Sequence, residues 1–356
     1  EVLRVAPYHV DTLLQLSDAL RINEDFQQLR DFLERALHAC ESAFHPLFNV
    51  ATAFSTSRLS YALRENRPFF LALQRRLGQL ADRGQFRTAL EFSKLINGIN
   101  PTDDPLGMML IIDFLALRAK QYEYLIDLYR GLEASRNLSQ LPNFAYSVPL
   151  ARFLSAQKSE NSKNDDFVET YGLDEAILKF PTLLIPLLEK CGVETDSEVA
   201  NCQAFSATEM IEDSGGLKLL IALYVARTHE LWKEPAVIGW VERVFRGAVL
   251  PKFAGGKRPN DPLFLEFQKK RRSNYAKAPP NVLRHVLLSE LKEALAALPP
   301  DVRETPVLSY DPLPPTDSIE SYARPEPRRN PRDDGFLAAL LRSHAQLRPL
   351  CGRRCR

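Results

Sequence analysis

Two adjoining stretches of the chain carry the same layout at a fixed interval, and this restricts the fold more than any other feature. In PFFLALQRRLGQLADRGQFRTALEFSKLINGINP an apolar run of helical spacing reaches Gly84. It restarts at Phe86, places Ala89 one turn on, and stops at Pro101. In DPLGMMLIIDFLALRAKQYEYLIDLYRGL the layout returns, with Tyr122 standing 36 residues after Phe86. A turn glycine, an aromatic, a small residue where two helices approach closely and a terminating proline match the tetratricopeptide pattern. A period of this size means helix pairs that cannot bury their apolar faces alone and stack on their neighbours. A further pair precedes them. Val10, Leu13, Leu14, Ser17 and Leu20 share one stripe, and Phe26, Leu29, Leu33, Ala36, Leu37 and Cys40 share another after the polar break INED.

The expected fold is therefore all-α: a tetratricopeptide-like α-solenoid of helical hairpins with a proline-rich C-terminal extension. Residues 1–154 carry the N-terminal hairpin repeats, and 155–215 hold polar loops and inserts around a single apolar helix at 173–190. Helical repeats resume over 216–298, where PNVLRHVLLSELKEALAAL is the last strong helix, and 299–356 is too rich in proline for regular structure. That last segment is expected as an extended arm, free to wrap the solenoid. No stretch shows a convincing strand alternation.

Composition narrows the function classes. Lys+Arg (46) and Asp+Glu (45) nearly cancel, so no global field recruits nucleic acid or an anionic membrane. Five scattered cysteines do not make a disulfide framework and point to a reducing compartment. The longest apolar run, MMLIIDFLALRA, is interrupted by Asp113, so no membrane span is expected. EVLRVAPYHV lacks the basic-then-apolar order of a signal peptide. No P-loop, GxGxxG, GxSxG or HExxH occurs. His9, His38 and His45 stand singly in or beside helix stripes, where packing or solvation explains them. Cys351 and Cys355 with His344 supply at most three metal ligands at spacings unusual for zinc. The pairs Asp103/Asp104 and Asp333/Asp334 read as helix N-terminal or loop charge. No catalytic, cofactor or metal residue is assigned.

What remains are candidate contact residues. NLSQLPNFAYSVPLARF holds two prolines seven residues apart; Pro142 suits a helix start, whereas Pro149 kinks or breaks the helix it begins. Its polar residues Asn137, Gln140, Asn143 and Tyr146 are candidate partner-binding residues, together with Trp232 and Trp240. Within this set Asn143 is expected to clamp neighbouring helices, and Tyr146 to pack its ring while its hydroxyl reaches outward to a partner. Lys269, Lys270, Arg271 and Arg272 form the one contiguous basic patch, suited to phosphate backbone or nuclear import or simply to a solvated helix end.

The blocks NLSQLPNFAYSVPLA, HPLFNV, ENRPFFLAL, RTALEFSKLI, LWKEPAVIGWVE, RHVLLSELKEALAALPPDV and YDPLPPTDSIESY, with the third hairpin, span nearly the whole chain. Together they resemble the transcription factor 25 family, also called nuclear localised protein 1, whose yeast-type members are ribosome quality control complex subunit one. The chain departs from the family in lacking its long, charged, low-complexity N-terminal region. SAQKSENSKNDD and NCQAFSATEMIEDSGG look like variable inserts.

The resemblance implies a non-catalytic subunit of the machinery that clears stalled nascent chains from the large ribosomal subunit. Implied partners are a listerin-type E3 ubiquitin ligase, ubiquitin, the large ribosomal subunit with its stalled nascent chain, the nascent-chain-tail factor and the AAA ATPase extraction machinery. The implied task is to orient acceptor ubiquitin so that chains grow through lysine forty-eight. The implied location is the cytoplasm, with nuclear residence as well. The alternatives are a transcriptional regulator, which needs a DNA-reading element that the sequence does not display, and a general protein-interaction scaffold.

Overall fold

The three helical hairpins close their turns with one shared device. After a short turn α1 (Val2–Val5), α2 (Val10–Ile22) and α3 (Phe26–Ser42) form the first hairpin. Next come α4 (Arg67–Asp82) with α5 (Phe86–Ile99), then α6 (Ile112–Arg118) with α7 (Tyr122–Arg136). At each turn one residue adopts the left-handed conformation, Glu24 (φ 59°), Gly84 (φ 74°) and Lys120 (φ 56°). The following residue then donates its N–H five positions back, from Asp25 to Leu20, Gln85 to Leu80 and Gln121 to Ala116. This closure satisfies carbonyls that the helix end leaves orphaned. Only one of the three uses glycine; Glu24 and Lys120 bear a steric cost of about 1–2 kcal/mol each that stacking of the hairpins offsets.

The computed structural model describes residues 1–52, 57–158, 169–194, 205, 213–253 and 261–319, without the side chain of Arg272. Among the described residues the backbone is helical or irregular, and the sole β-bridge pairs Leu63 with Ile319. Consecutive helices pack on one another from α2 to α9, as a solenoid requires. Ala89 is fully buried where α5 meets its neighbour. Phe86 stands edge-on to Phe114 of the next repeat at 6.0 Å, with the Arg118 guanidinium 4.5 Å above its ring. Each fully buried leucine on these stripes contributes about 1.5–3 kcal/mol.

The second half continues with α8 (Pro142–Lys158), α9 (Leu173–Lys179), α10 (Pro181–Cys191), α11 (Gly215–Trp232) and α12 (Pro235–Val244). It ends with α13 (Pro262–Asn274), α14 (Pro280–Ser289), α15 (Lys292–Ala296) and α16 (Pro300–Glu304). Pro142 opens α8 as expected. Pro149 lies inside that helix, which runs on to Lys158 because Phe144, Val148, Leu150 and Phe153 are buried on both sides of the missing bond. Tertiary packing outweighs the local penalty of about 3 kcal/mol. The long α11 packs back against α6, α8 and α10, so residues Glu1–Ile319 form one compact unit.

Three expectations change. The helix expected at 173–190 is two helices, because Pro181 forces Phe180 out of the helical region (φ −129°, ψ 64°). The last strong helix also divides, at Glu290, which turns left-handed (φ 53°) and starts α15 after an extended Leu291. The arm is not extended throughout: α16 opens it, and residues 305–319 then lie along the solenoid as a strap. Arg67 pairs with Asp311 at 2.6 Å, and Arg284 donates to the Pro312 and Leu313 carbonyls. Residues 320–356, with Cys351, Cys355, His344 and Asp333/Asp334, lie outside the described residues, as do most of the two polar inserts.

Candidate functional site

The candidate contact residues do not share a surface. Asn143 lies inside, donating from Nδ2 to the Met109 carbonyl (2.9 Å) and to Asp113 Oδ1 (3.0 Å). One turn on, the Ser147 hydroxyl donates to Asp113 Oδ2 at 2.7 Å, and Tyr224 closes on Ser147 at 3.2 Å. Trp232 donates its indole N–H to the Tyr224 hydroxyl at 3.1 Å. Asn143 is thus the clamp that was expected. The outward reach expected of Tyr146 is overturned. Its side chain is 1% exposed, its hydroxyl donates to the Phe180 carbonyl at 2.9 Å, and its ring packs edge-on to Trp232. The hydroxyl points across to α10's entry, where the Phe180 carbonyl accepts it on one lone pair and the Leu183 N–H on the other.

Trp240 is buried as well, stacked on Phe153 at 4.4 Å, with its N–H on the Glu169 carbonyl. Both tryptophans are therefore interior anchors. Asn137 is exposed but serves as the left-handed cap of α7 (φ 50°), a conformation that asparagine tolerates. Gln140 is half-buried and its carbonyl accepts the Tyr275 hydroxyl. The basic patch divides. Residues on a helix step about 100° apart, so four consecutive cations cannot face one way. Lys269 and Lys270 are exposed, Lys270 pairing with Glu266 at 2.5 Å. Arg271 points inward to Asp213 (2.9 Å) and Thr182. The side chain of Arg272 lies outside the described residues.

The clamp extends to a second cluster. Asp104 caps the Met108 and Met109 N–H groups at 2.7 and 3.0 Å. The His285 ring spans Leu106 O (Nδ1, 2.8 Å) and Arg227 Nη2 (Nε2, 3.0 Å). A guanidinium only donates, so Nε2 accepts, Nδ1 carries the proton and the ring is neutral. Burial and then the Arg227 charge push its pKa down to about 3. Burial likewise lowers Arg227 to about 10, against the pull of Asp113, while burial raises Asp113 against its Ser147 and Asn143 hydrogen bonds. These shifts belong to structural groups deep in the fold.

The candidate site lies elsewhere, in a cleft of about 640 Å³ between the first two hairpins, α14 and the strap. Its floor is α4, with Gln74, Arg75, Gly78 and Gln79. Its walls are Leu29 and Leu33 of α3 on one side, and Leu287, Leu288 and Val307 on the other. Phe26 projects at its edge, 58% exposed. Charges along the cleft are mostly paired: Arg75 forks onto Asp18 (2.8 and 2.7 Å), and Arg21 reaches Glu290 from the opposite wall. Asp82 at the end of α4 has its pKa raised by burial, with Arg21 opposing and Glu290 adding to the shift. Nothing in the sequence pointed here, because the lining comes from segments up to about 300 residues apart and each is unremarkable alone. The one available signal was Gly78, a glycine in mid-helix.

Among the described residues no group of three His, Cys, Asp or Glu side chains is placed to hold a metal ion, and no helix is long and apolar enough to cross a membrane. Stacked hairpins around a lined cleft define an all-α solenoid. The family model described as transcriptional repressor TCF25 matches residues 1–315. The chain belongs to that family. It is 47% identical to the human "Ribosome quality control complex subunit TCF25" over 344 residues, 96% of this chain and 50% of that protein. It is 32% identical to "Probable transcription factor claV" of Ampulloclitocybe clavipes, over 89% of this chain and 42% of that protein. "Ribosome quality control complex subunit 1" of Schizosaccharomyces pombe is 28% identical, over 88% of this chain and 42% of that protein. The chain spans about half the length of the curated relatives it matches. No solved structure matches it.

Proposed function

We propose that this chain is the solenoid portion of a non-catalytic ribosome quality control subunit. In this reading it engages a listerin-type E3 ligase and orients acceptor ubiquitin, so that stalled nascent chains on the large ribosomal subunit receive chains linked through lysine forty-eight. The nascent-chain-tail factor and the AAA ATPase extraction machinery act alongside it, in the cytoplasm and also in the nucleus. The observation that carries the reading is the 47% identity, across 96% of the chain, to a human subunit of that name.

The physical case is one of positioning. The thioester chemistry resides in the E2, and a scaffold that holds one amine near the thioester changes its effective molarity by orders of magnitude. A tenfold preference for one lysine requires only about 1.4 kcal/mol of orientation. A body pinned by the Asp113 and His285 clamps supports that role better than a hinged one. Chain assembly by ligase, E2 and ubiquitin, with and without this protein and read by linkage-specific detection, is the test. A rise in lysine forty-eight linkages is expected, and an unchanged linkage distribution rejects the reading.

A second reading, transcriptional repression, draws on the family's printed description and on the fungal relative's name. It has less physical support, since Arg271 of the basic run is committed to Asp213 inside the fold. Lys269 and Lys270 are the described cations left in that run for phosphate. Neutralising both is expected to weaken large-subunit sedimentation or nuclear entry only modestly, and a null result in both assays assigns them to solvation.

A further inference from the structure

We infer that the α4 cleft binds a short extended segment of a partner polypeptide, with the partner's main chain laid over Gly78 and read by Gln74, Arg75 and Gln79. This concerns what the cleft recognises and does not depend on the ligase reading.

Gly78 is the first ground. It sits in the middle of α4, where glycine costs about 0.5–1 kcal/mol relative to alanine. Its φ is not in the left-handed region, and an added Cβ would meet nothing within 4 Å. Neither backbone geometry nor packing within the chain uses it. A bare patch of helix floor is what a main chain needs for close approach. Gly131 of α7 has similar space around it but lies on an exposed face.

The polar atoms beside Gly78 are the second. Gln74 and Gln79 are 7% and 8% exposed. Yet Gln74 Oε1, Gln79 Nε2 and Arg75 Nη1 have no hydrogen-bond partner among the described residues. Arg76 holds Gln79 Oε1 at 2.5 Å, which fixes the direction of its amide. One acceptor and two donors among the cleft lining match the N–H and C=O groups that an extended chain offers at every residue. A helix has spent those groups internally and offers none along its flank. The fold already treats its own strap this way: Arg75 Nη2 donates to the Ser309 carbonyl at 2.7 Å, and Arg284 holds Pro312 and Leu313 by theirs.

Dimensions and charge define the ligand. From Gln74 to Asp82 α4 rises about 12 Å at 1.5 Å per residue, the span of about four residues of extended chain at 3.3 Å each. Alternate side chains of such a segment point to opposite walls, one towards Leu29 and Leu33, the next towards Leu288 and Val307. Both therefore favour aliphatic residues. Pairing of Arg75 with Asp18 and of Arg21 with Glu290 leaves the cleft near neutrality, so the segment is uncharged at its centre.

The probe is a phage-displayed library of 12-residue peptides, panned on the whole chain, with the selected peptide made as a fluorescein conjugate and titrated by anisotropy. Gly78→Leu fills the floor while improving helix propensity, so its melting temperature is expected to equal or exceed that of the parent and its peptide affinity to fall at least tenfold. N-methylation of the peptide's central amides is expected to weaken binding similarly. Gln74→Met, run in parallel, covers the case in which Gly78→Leu folds poorly and is expected to lose affinity without losing stability. Failure to select any peptide, equal binding by both folded variants, or a helical bound peptide by NMR overturns the inference. A null linkage assay with intact peptide binding would reject the ligase reading alone.

Discussion

The interior around Asp113 and the cleft above α4 are both rich in buried polar groups, and they use them in opposite ways. Around Asp113 the groups are spent on one another: Asn143, Ser147, Tyr224 and Trp232 form a chain of hydrogen bonds joining α6, α8 and α11, and only Asn143 Oδ1 in that chain lacks a partner. Along α4, Gln74, Arg75 and Gln79 each keep one buried atom unpaired beside a glycine that the fold does not need. An unpaired buried polar atom costs about 1–3 kcal/mol. The contrast separates polarity that makes the solenoid rigid from polarity held in reserve for a partner.

The comparison makes its largest demand at Asp113. In Asp113→Ala the Asn143 amide and Ser147 hydroxyl lose their shared acceptor and Arg227 loses its neighbouring charge, so a loss of about 3–5 kcal/mol is expected. Urea denaturation measures it, and a loss below about 1 kcal/mol would mean that the clamp is slack. Tyr146→Phe comes next. It retains the ring packing on Trp232 but takes one of two donors from the Phe180 carbonyl, which keeps the Leu183 N–H, for an expected loss of about 1 kcal/mol. Linkage preference per folded molecule should be unchanged, whereas a stable variant with altered linkage would return Tyr146 to the surface.

His285 tests the clamp by pH. An unfolded histidine titrates near 6.5 and the folded ring only near 3. Between those values the unfolded chain binds a proton that the folded chain refuses. The contribution is therefore complete above about 6.5 and drains away as pH falls towards 3, at no more than about 1.4 kcal/mol per pH unit. Relative to His285→Gln, the parent should lose about 1 kcal/mol more between pH 6.5 and 5.5. Parallel urea midpoints for the two proteins across that interval would show that His285 is solvated instead.

How much of this could be read from the sequence differs between the two regions for physical reasons. The hairpins were readable because spacing of Leu29, Leu33 and Ala36, or of Phe86 and Ala89, is a local property of one helix. The left-handed turns at Glu24 and Lys120 were not, since those residue types tolerate the conformation only under tertiary pressure. Asn143 was read correctly as a clamp. Tyr146 was misread because its hydroxyl finds its acceptor 34 residues on, at the Phe180 carbonyl, a contact that no local pattern records. Arg271 was misplaced because a run of like charges looks continuous in one dimension and spirals in three. The cleft was invisible: Gln74, Leu288 and Val307 meet only after the chain has folded back on its first hairpins.

The smallest expected effect is the most discriminating. Gln74→Met removes a buried amide oxygen that has no partner among the described residues and replaces it with an apolar side chain of similar length. If Gln74 belonged to a structural network like that of Asn143, the change would cost 1 kcal/mol or more, roughly the net worth of a hydrogen bond. If its oxygen waits for a partner's N–H, deletion relieves a desolvation penalty in the free protein, and stability should stay within about 0.5 kcal/mol or rise. Asn143→Ala, measured in the same urea series, supplies the opposite sign, because it takes donors from both Met109 O and Asp113. A Gln74→Met protein destabilised as much as Asn143→Ala would place both regions in one class and remove the reason for expecting a main chain over Gly78.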